Sequence, residues 1–394
     1  MSLEIESLKR MLHEEVDQLE NMDVRKRLQY LMVCSAPEKR EQLQERFVEV
    51  VSRYLKEHGI EAPQATDLNQ DGRLESHLQA LREDGITRLG PVLSPQEIDE
   101  IHRHLGSCPV HGGGTVNAGA EGGWEPVAEA KKKHRECSYK MEDLIDAPHL
   151  LEFMASPWVV DLTTRYLGAP PSVFSPNLFW SFSNVPGVSP SQEIHRDWDG
   201  FRHLALFIYL VDVKQENGAH QYLRKSHSLK SIEKVLSRAK DKKGLPSKSE
   251  LFYYQFDQKS PGNERLLSLF AEEEVSVEGR AGEAFLVDPF GLHRGHPLIK
   301  DERLLFWARY SLYHNGNSID VSRRPVPAET VRHRIPNDRL HKYMFRTCIE
   351  SDFSQVAEST LHLPSALLMD PPARVSQFQK PSRRKLIRNF FSSS

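Results

Sequence analysis

The segment Glu193-Ile-His195-Arg-Asp197-Trp carries residue types and a spacing that could do chemistry. Side chains two apart on an extended strand point to the same face. His195 and Asp197 can therefore grip one metal ion between an imidazole nitrogen and a carboxylate oxygen, while Arg196 turns away. By itself this pair is a weak signal. A second histidine strengthens it: Gly282-Glu-Ala-Phe-Leu-Val-Asp-Pro-Phe-Gly-Leu-His293-Arg-Gly295 runs a strand into a turn that ends on His293. Two histidines and one carboxylate on one side of a metal leave three positions open, the facial triad of non-haem Fe(II) oxygenases. Asp199 sits four residues from His195, past the first chelate, so Asp197 is the preferred carboxylate. His296, three residues after His293, is a competing imidazole.

Other groupings compete for attention. Cys108-Pro-Val-His111 and His134-Arg-Glu-Cys137 flank a Gly-rich loop over 112–123. Two Cys and two His at such spacing offer a tetrahedral set for structural Zn²⁺, with free thiols and surface histidines as the plainer reading. Asp67-Leu-Asn69-Gln-Asp71-Gly72 imitates the start of a calcium loop. The twelfth position is Leu78 rather than a bidentate Glu, so a plain turn is expected. His203, His220 and His227 read as hydrogen-bonded structural histidines or surface groups. Trp180, Trp198, Phe201 and Trp307 read as pocket lining or, more simply, core.

Elements that could position these groups follow from periodicity. Residues 1–60 read as a helical N-terminal appendage: Ile5, Leu8, Leu12, Val16 and Leu19 recur at helical spacing, and Ser35-Ala-Pro-Glu38 opens a further helix that Gly59 ends. A polar linker covers 61–75. From 76 to 315 a second region begins with a helix over 78–84, a short strand from Gly85 and a helix opened by Ser94-Pro-Gln-Glu97. Another helical stretch is expected over 147–167. Strand-like runs then dominate at 175–182, 203–213, 283–287 and 303–313. The run Leu204 to Val211 is apolar on both faces and suits a central strand. Strands joined by irregular loops predict a mainly β fold with flanking helices, a double-stranded β-helix or jelly roll, interrupted by a surface insertion at 228–275. Residues 316–394 form a C-terminal extension. Its basic end, Lys380 to Arg388 with Leu386, Ile387, Phe390 and Phe391, is either a solvated tail or a weak contact for an anionic membrane surface.

Composition excludes several classes of function. The chain has 394 residues, 39% hydrophobic and 27% charged, which supports a sizeable core. A net charge of -3 argues against a whole-chain grip on nucleic acid. No apolar run spans a bilayer, and the charged stretch from Met1 to Arg10 is unlike a signal peptide. The cysteine content suits a reduced, cytoplasmic protein rather than a disulfide scaffold.

In motif order, residues 76–315 resemble the phytanoyl-CoA dioxygenase family of Fe(II)/2-oxoglutarate oxygenases. Asp84-Gly-Ile with Gly90-Pro-Val-Leu is similar to the family's opening helix and strand, and 144–168 to the stretch before its metal strand. Glu216-Asn-Gly-Ala219 is similar to its Asn-Gly turn, and Arg224-Lys-Ser-His227 stands where the family has Pro-Gly-Ser-His. The resemblance implies that His195, Asp197 and His293 hold iron; Gly295 after His293 favours it over His296. It implies that Arg303 pairs with the far carboxylate of 2-oxoglutarate. Arg309 shares that strand face but lies roughly 20 Å further along. By position, Lys140 and Tyr209 match cosubstrate contacts. Fe(II), 2-oxoglutarate, O₂ and ascorbate as reductant are the implied cofactors. Hydroxylation of a small-molecule substrate, with release of succinate and CO₂, is the implied reaction. Desaturation, cyclisation or a non-catalytic jelly-roll scaffold are the alternatives. His296-Pro297 replaces small polar residues usual in the family, so the substrate side of the pocket is expected to differ.

Overall fold

The protein is seen in a computed structural model that describes residues 37–62, 72–112, 123–185, 190–197, 202–238, 247–252, 267–312 and 325–352. The stripe from Ile5 to Leu19, the Asp67–Asp71 part of the calcium-like turn, Trp198, Asp199, Phe201 and the basic C-terminal end lie outside these residues.

Helix α1 (Pro37–Glu57) starts on a proline, whose missing N–H is no loss in a first turn, and is followed by Gly59 at φ 63°. Val51, Tyr54, Leu55 and Ile60 are buried in the same hydrophobic cluster as the helices and sheet that follow. In its packing, then, this helix is part of the core. Helix α2 (Arg73–Asp84) ends on Gly85 in the left-handed conformation and feeds strand β1 (Ile86–Pro91). Ser94 and Glu97 form the expected capping box on α3 (Pro95–Leu105). Strands β2 (Val110–Gly112) and β3 (Trp124–Glu125), helix α4 (Val127–Ala130) and strand β4 (Glu136–Tyr139) follow. Helix α5 (Met141–Asp146) comes next, and the single helical stretch expected over 147–167 is instead two helices, α6 (Leu150–Met154) and α7 (Pro157–Leu167). Prolines at 148 and 157 and the left-handed His149 break it.

The remaining strands are β5 (Ser172–Phe182), β6 (His203–Tyr209), β7 (His220–Leu223), β8 (Glu274–Val277), β9 (Glu283–Val287), β10 (His293–Gly295) and β11 (Glu302–Ser311). They form two antiparallel sheets. The larger has the order β1-β9-β6-β11-β5-β4-β2-β3 and the smaller β10-β7-β8. This is the double-stranded β-helix, with the chain alternating between sheets. Alternation along each strand divides the side chains. Leu204, Leu206, Ile208, Leu304 and Phe306 pack outward against the helices, whereas Ala205, Phe207, Tyr209, Leu305 and Phe285 face the interior between sheets. Every residue of β6 is buried, as its two-sided apolar run requires.

The 228–275 insertion contributes α8 (Leu229–Arg238) and α9 (Lys248–Phe252). Leu229, Ile232, Leu251 and Phe252 share a cluster with Ile194, Phe290 and Leu292, so the insertion braces the segments on which the triad residues lie. A last short helix, α10 (Arg339–Met344), is capped by Asp338. Among the described residues no helix is long and apolar enough to cross a membrane.

Candidate active site

His195 and His293 face each other as a hydrogen-bonded antiparallel pair, each backbone N–H reaching the other's carbonyl at 3.0 Å. Asp197 is fixed by its N–H to the Pro289 carbonyl at 2.9 Å. Backbone pairing therefore brings two segments a hundred residues apart into one register. His195 Nε2 lies 3.6 Å from Asp197 Oδ1, and His293 Nε2 lies 3.9 Å from Asp197 Oδ2. Among the described residues these three form the one cluster of possible metal ligands, with donor atoms within 4.8 Å of one another. Each imidazole is oriented by a carbonyl two residues back. Nδ1 of His195 meets the Glu193 carbonyl at 2.7 Å, and Nδ1 of His293 meets that of Gly291 at 2.9 Å. A carbonyl only accepts, so Nδ1 carries the proton and Nε2 presents its lone pair to the centre. Burial, with His195 adding to it, holds His293 well below the ordinary imidazole range. Two imidazoles pre-oriented by their Nδ1 contacts, beside the Asp197 carboxyl group, are a donor set that fits a divalent iron ion.

His296 is not part of this cluster. His293 and Gly295 share one face of β10, so His296 falls on the other parity, and its N–H bonds the Ala219 carbonyl at 2.9 Å.

Arg303 lies in the interior at 6% exposure, on the same β11 face as Leu305 and Trp307. Its guanidinium donates to the Gly218 carbonyl and to Ser181 Oγ, 3.2 Å away, while Nε has no partner among the described residues. The Asn-Gly turn explains the first contact. Asn217 closes the turn through its side chain, to Lys214 N–H and the Asp212 carbonyl, and Gly218 at φ 91° turns its carbonyl to Arg303. A buried, incompletely satisfied cation beside Gly295, two residues from His293, has the chemistry to bind an anion. Arg309, on the same strand face, stacks instead on Trp307, 4.0 Å from the ring centroid.

A model of the family described as phytanoyl-CoA dioxygenase (PhyH) matches residues 81–299, more than half of the chain. The chain belongs to the phytanoyl-CoA dioxygenase family. It is accordingly an Fe(II)/2-oxoglutarate-dependent oxygenase in its general role. Comparison with curated protein sequences finds no significant match. Among solved structures it is similar to the α-ketoglutarate-dependent epimerase SnoN from nogalamycin biosynthesis, at 18% identity and TM-score 0.38, covering 61% of this chain and 83% of that one. It is also similar to EctD from S. alaskensis with bound Fe, at 16% identity and TM-score 0.37, covering 60% of this chain and 75% of that one.

The Arg224-Lys-Ser-His227 loop is held by contacts of its own. Lys225 takes the place of a glycine and adopts a positive φ of 66°, tied by its N–H to the Asp84 carbonyl at 2.9 Å. Ser226 then receives the Leu292 N–H at 2.6 Å, which links this loop to the residue before His293. Arg196, turned away from the triad as its parity requires, is buried and donates to the carbonyls of Ser226, Phe290 and Leu251.

The structure brings the two position-matched residues to the interior side. Strand register runs Trp124, His111, Ser138, Phe179, Leu305 and Tyr209 across one face of the large sheet, and the Lys140 ammonium sits 4.9 Å from the Trp124 ring. Tyr209 is buried near Arg303, but its hydroxyl is already engaged: it donates to the Val277 carbonyl at 2.8 Å and accepts from His220 N–H at 3.1 Å. At the Cys/His grouping and at Trp180 the plainer of the two readings fits the structure. Cys108, His111, His134 and Cys137 do not converge on a zinc ion. His111 pairs across the ladder with Ser138, so Cys137 points to the opposite face, while His134 lies 3.4 Å from Glu125 and the Cys108 thiol donates to the His104 carbonyl. Trp180 faces outward, its Nε1 donating to Tyr139 Oη, so it does not line the triad chamber. His220, read from sequence as structural or surface, stands beside His293 inside the chamber. Its place two residues after Gly218, on the inward parity of β7, was the available signal.

Proposed function

We propose that this protein is a hydroxylase of a small organic substrate, with His195, Asp197 and His293 as its iron ligands. The observation that carries the reading is the pairing, in one interior chamber, of a convergent His-Asp-His set with the buried and incompletely satisfied Arg303. When bound, iron, 2-oxoglutarate and dioxygen supply the oxidant that removes hydrogen from an unactivated carbon, with succinate and CO₂ as coproducts. The protein's part is positioning. The carbonyls of Glu193 and Gly291 hold both imidazoles in the ligating tautomer. Asp197 fills the carboxylate position, which leaves no place for a halide and favours hydroxylation over halogenation. Arg303 anchors the distal carboxylate through a planar, permanently charged fork. Lys140, over Trp124 on the same sheet face, adds positive charge, and Tyr209 backs Arg303 as a wall. Phe207, Phe285 and Trp307 keep water from the reacting centre.

We assign residues 76–315 to the oxygenase domain, with 228–275 as an insertion and 316–394 as an extension. The free thiols Cys108, Cys137 and Cys348 suit a cytoplasmic setting. The experiment is succinate release from 2-oxoglutarate by the Fe(II)-loaded protein. A scaffold protein would release none, and product analysis with a turned-over substrate separates hydroxylation from desaturation or cyclisation.

A further inference from the structure

We propose that His220 binds the cosubstrate: its Nε2 donates a hydrogen bond to a carboxylate of 2-oxoglutarate held between the His195–Asp197–His293 cluster and Arg303. The inference rests on the site reading above and adds a residue to it.

Four observations place His220 there. On β7 it pairs with Gly295 of β10 on one side and Val277 of β8 on the other, with its side chain on the inward parity. Its ring is stacked on that of His293, centroids 5.4 Å apart and planes 25° apart. Arg303 is close by as well: its guanidinium bonds the Gly218 carbonyl, two residues before His220, and lies against Gly295, the residue directly across from His220. His220 thus has His293 against its ring and Arg303 against the residue paired with it, the two groups between which the proposed dicarboxylate would be held. Finally, Nε2 is buried and has no hydrogen-bond partner among the described residues, in a residue only 6% exposed.

Packing alone does not call for a histidine here. The ring is lined by Phe207 and Phe285, at centroid distances of 5.1 and 5.3 Å, and an aliphatic or aromatic residue would fill the same volume. A buried polar nitrogen left unmet is destabilising, so its retention points to a ligand that satisfies it. A fourth iron ligand is not the explanation, because the convergent donor set contains His195, Asp197 and His293 without His220. A carboxylate beside the chelate meets the requirement: it accepts the N–H and is already held there by Arg303.

The test uses the full-length protein loaded anaerobically with Fe(II) and titrated with 2-oxoglutarate, following the visible charge-transfer band of the Fe(II)–2-oxo acid chelate. Fe(II) affinity is measured separately. His220→Phe keeps a ring without the donor, and His220→Leu does the same if Phe overpacks the site. His220→Gln retains an N–H. Loss of a hydrogen bond to a charged group is expected to weaken 2-oxoglutarate binding by roughly ten-fold or more in the Phe and Leu variants. The band should shift in position, His220→Gln should recover most of the affinity, and Fe(II) binding should hold in all of them. An unchanged band and affinity in His220→Phe or His220→Leu would overturn the proposal. A fall in Fe(II) affinity that parallels the fall in 2-oxoglutarate affinity, Gln included, would also overturn it, since His220 would then only support the triad. Wild-type protein that binds Fe(II) but gives no band at any 2-oxoglutarate concentration would remove the cosubstrate reading itself, and this inference with it.

Discussion

The guanidinium of Arg303 occupies the space that a side chain at Gly295 would claim. A Cβ at that position would stand 3.3 Å from Nη1 and 3.7 Å from Nη2. The glycine two residues after the distal histidine is therefore a clearance for the cation rather than a turn residue, and its φ is not in the left-handed range. Gly295→Ala is expected to press the guanidinium aside by a few tenths of an ångström. The half-saturation concentration of 2-oxoglutarate should then rise roughly ten-fold, short of the ~100-fold that a 1 Å misplacement brings. Equilibrium Fe(II) binding should not change.

Replacing Arg303 by Ala removes one partner of a buried charge pair, a loss of about 3–5 kcal/mol. Succinate formation against 2-oxoglutarate concentration, at saturating Fe(II), should show half-saturation raised by two orders of magnitude or more. Arg303→Lys should recover only part, because an ammonium keeps the charge and loses the fork. No change in Arg303→Ala would shift the anchor to another cation, with Arg309 first in line.

Alanine at His195, Asp197 or His293 should abolish turnover and weaken Fe(II) binding. Alanine at His296 should leave both largely intact, since it lies just past β10 and outside the cluster. An inactive His296→Ala protein beside an active His293→Ala protein would reverse the assignment.

Metal analysis of protein prepared without added iron should find no zinc that depends on Cys108, His111, His134 or Cys137, and chelator should not lower the melting temperature through them. Burial pushes the Cys137 thiol up to about 12, so at neutral pH it stays protonated and should label slowly with thiol reagents in the native state. The half-exposed Cys108 should label first.

Arg196→Ala would leave the carbonyls of Ser226, Phe290 and Leu251 without their donor in a buried place. Chemical denaturation should show a loss of about 1–3 kcal/mol for each carbonyl left unmet. Iron affinity should fall as well, because the Ser226 loop and Phe290 both lead into the His293 segment.

His195 and Asp197 were legible because strand alternation is a local rule, and β11 could be read as a strand carrying Arg303 for the same reason. The backbone exchange between His195 and His293 was not, since it depends on the register of segments far apart in the chain. The same limit explains the Cys/His grouping. Its sequence spacing suits zinc, but the β2–β4 ladder aligns His111 with Ser138 and sends Cys137 to the other face. The two short helices in place of one long one follow from Pro148 and Pro157, which were visible, and from the left-handed His149, which was not. His220 was underestimated because a lone histidine in an apolar strand carries no motif. Only the stacking on His293 and the unmet nitrogen distinguish it from core.

The ring of Phe290 receives two guanidiniums, Arg196 at 5.0 Å and Arg40 of α1 at 4.3 Å. Anyone trimming this protein at the apparent boundary near residue 60 would delete Arg40 from a ring three residues from His293, and would remove Val51, Tyr54, Leu55 and Ile60 from the main hydrophobic cluster. Such a shortened chain would serve poorly as a minimal catalytic unit: low iron occupancy in it would report the cut, not the intact enzyme.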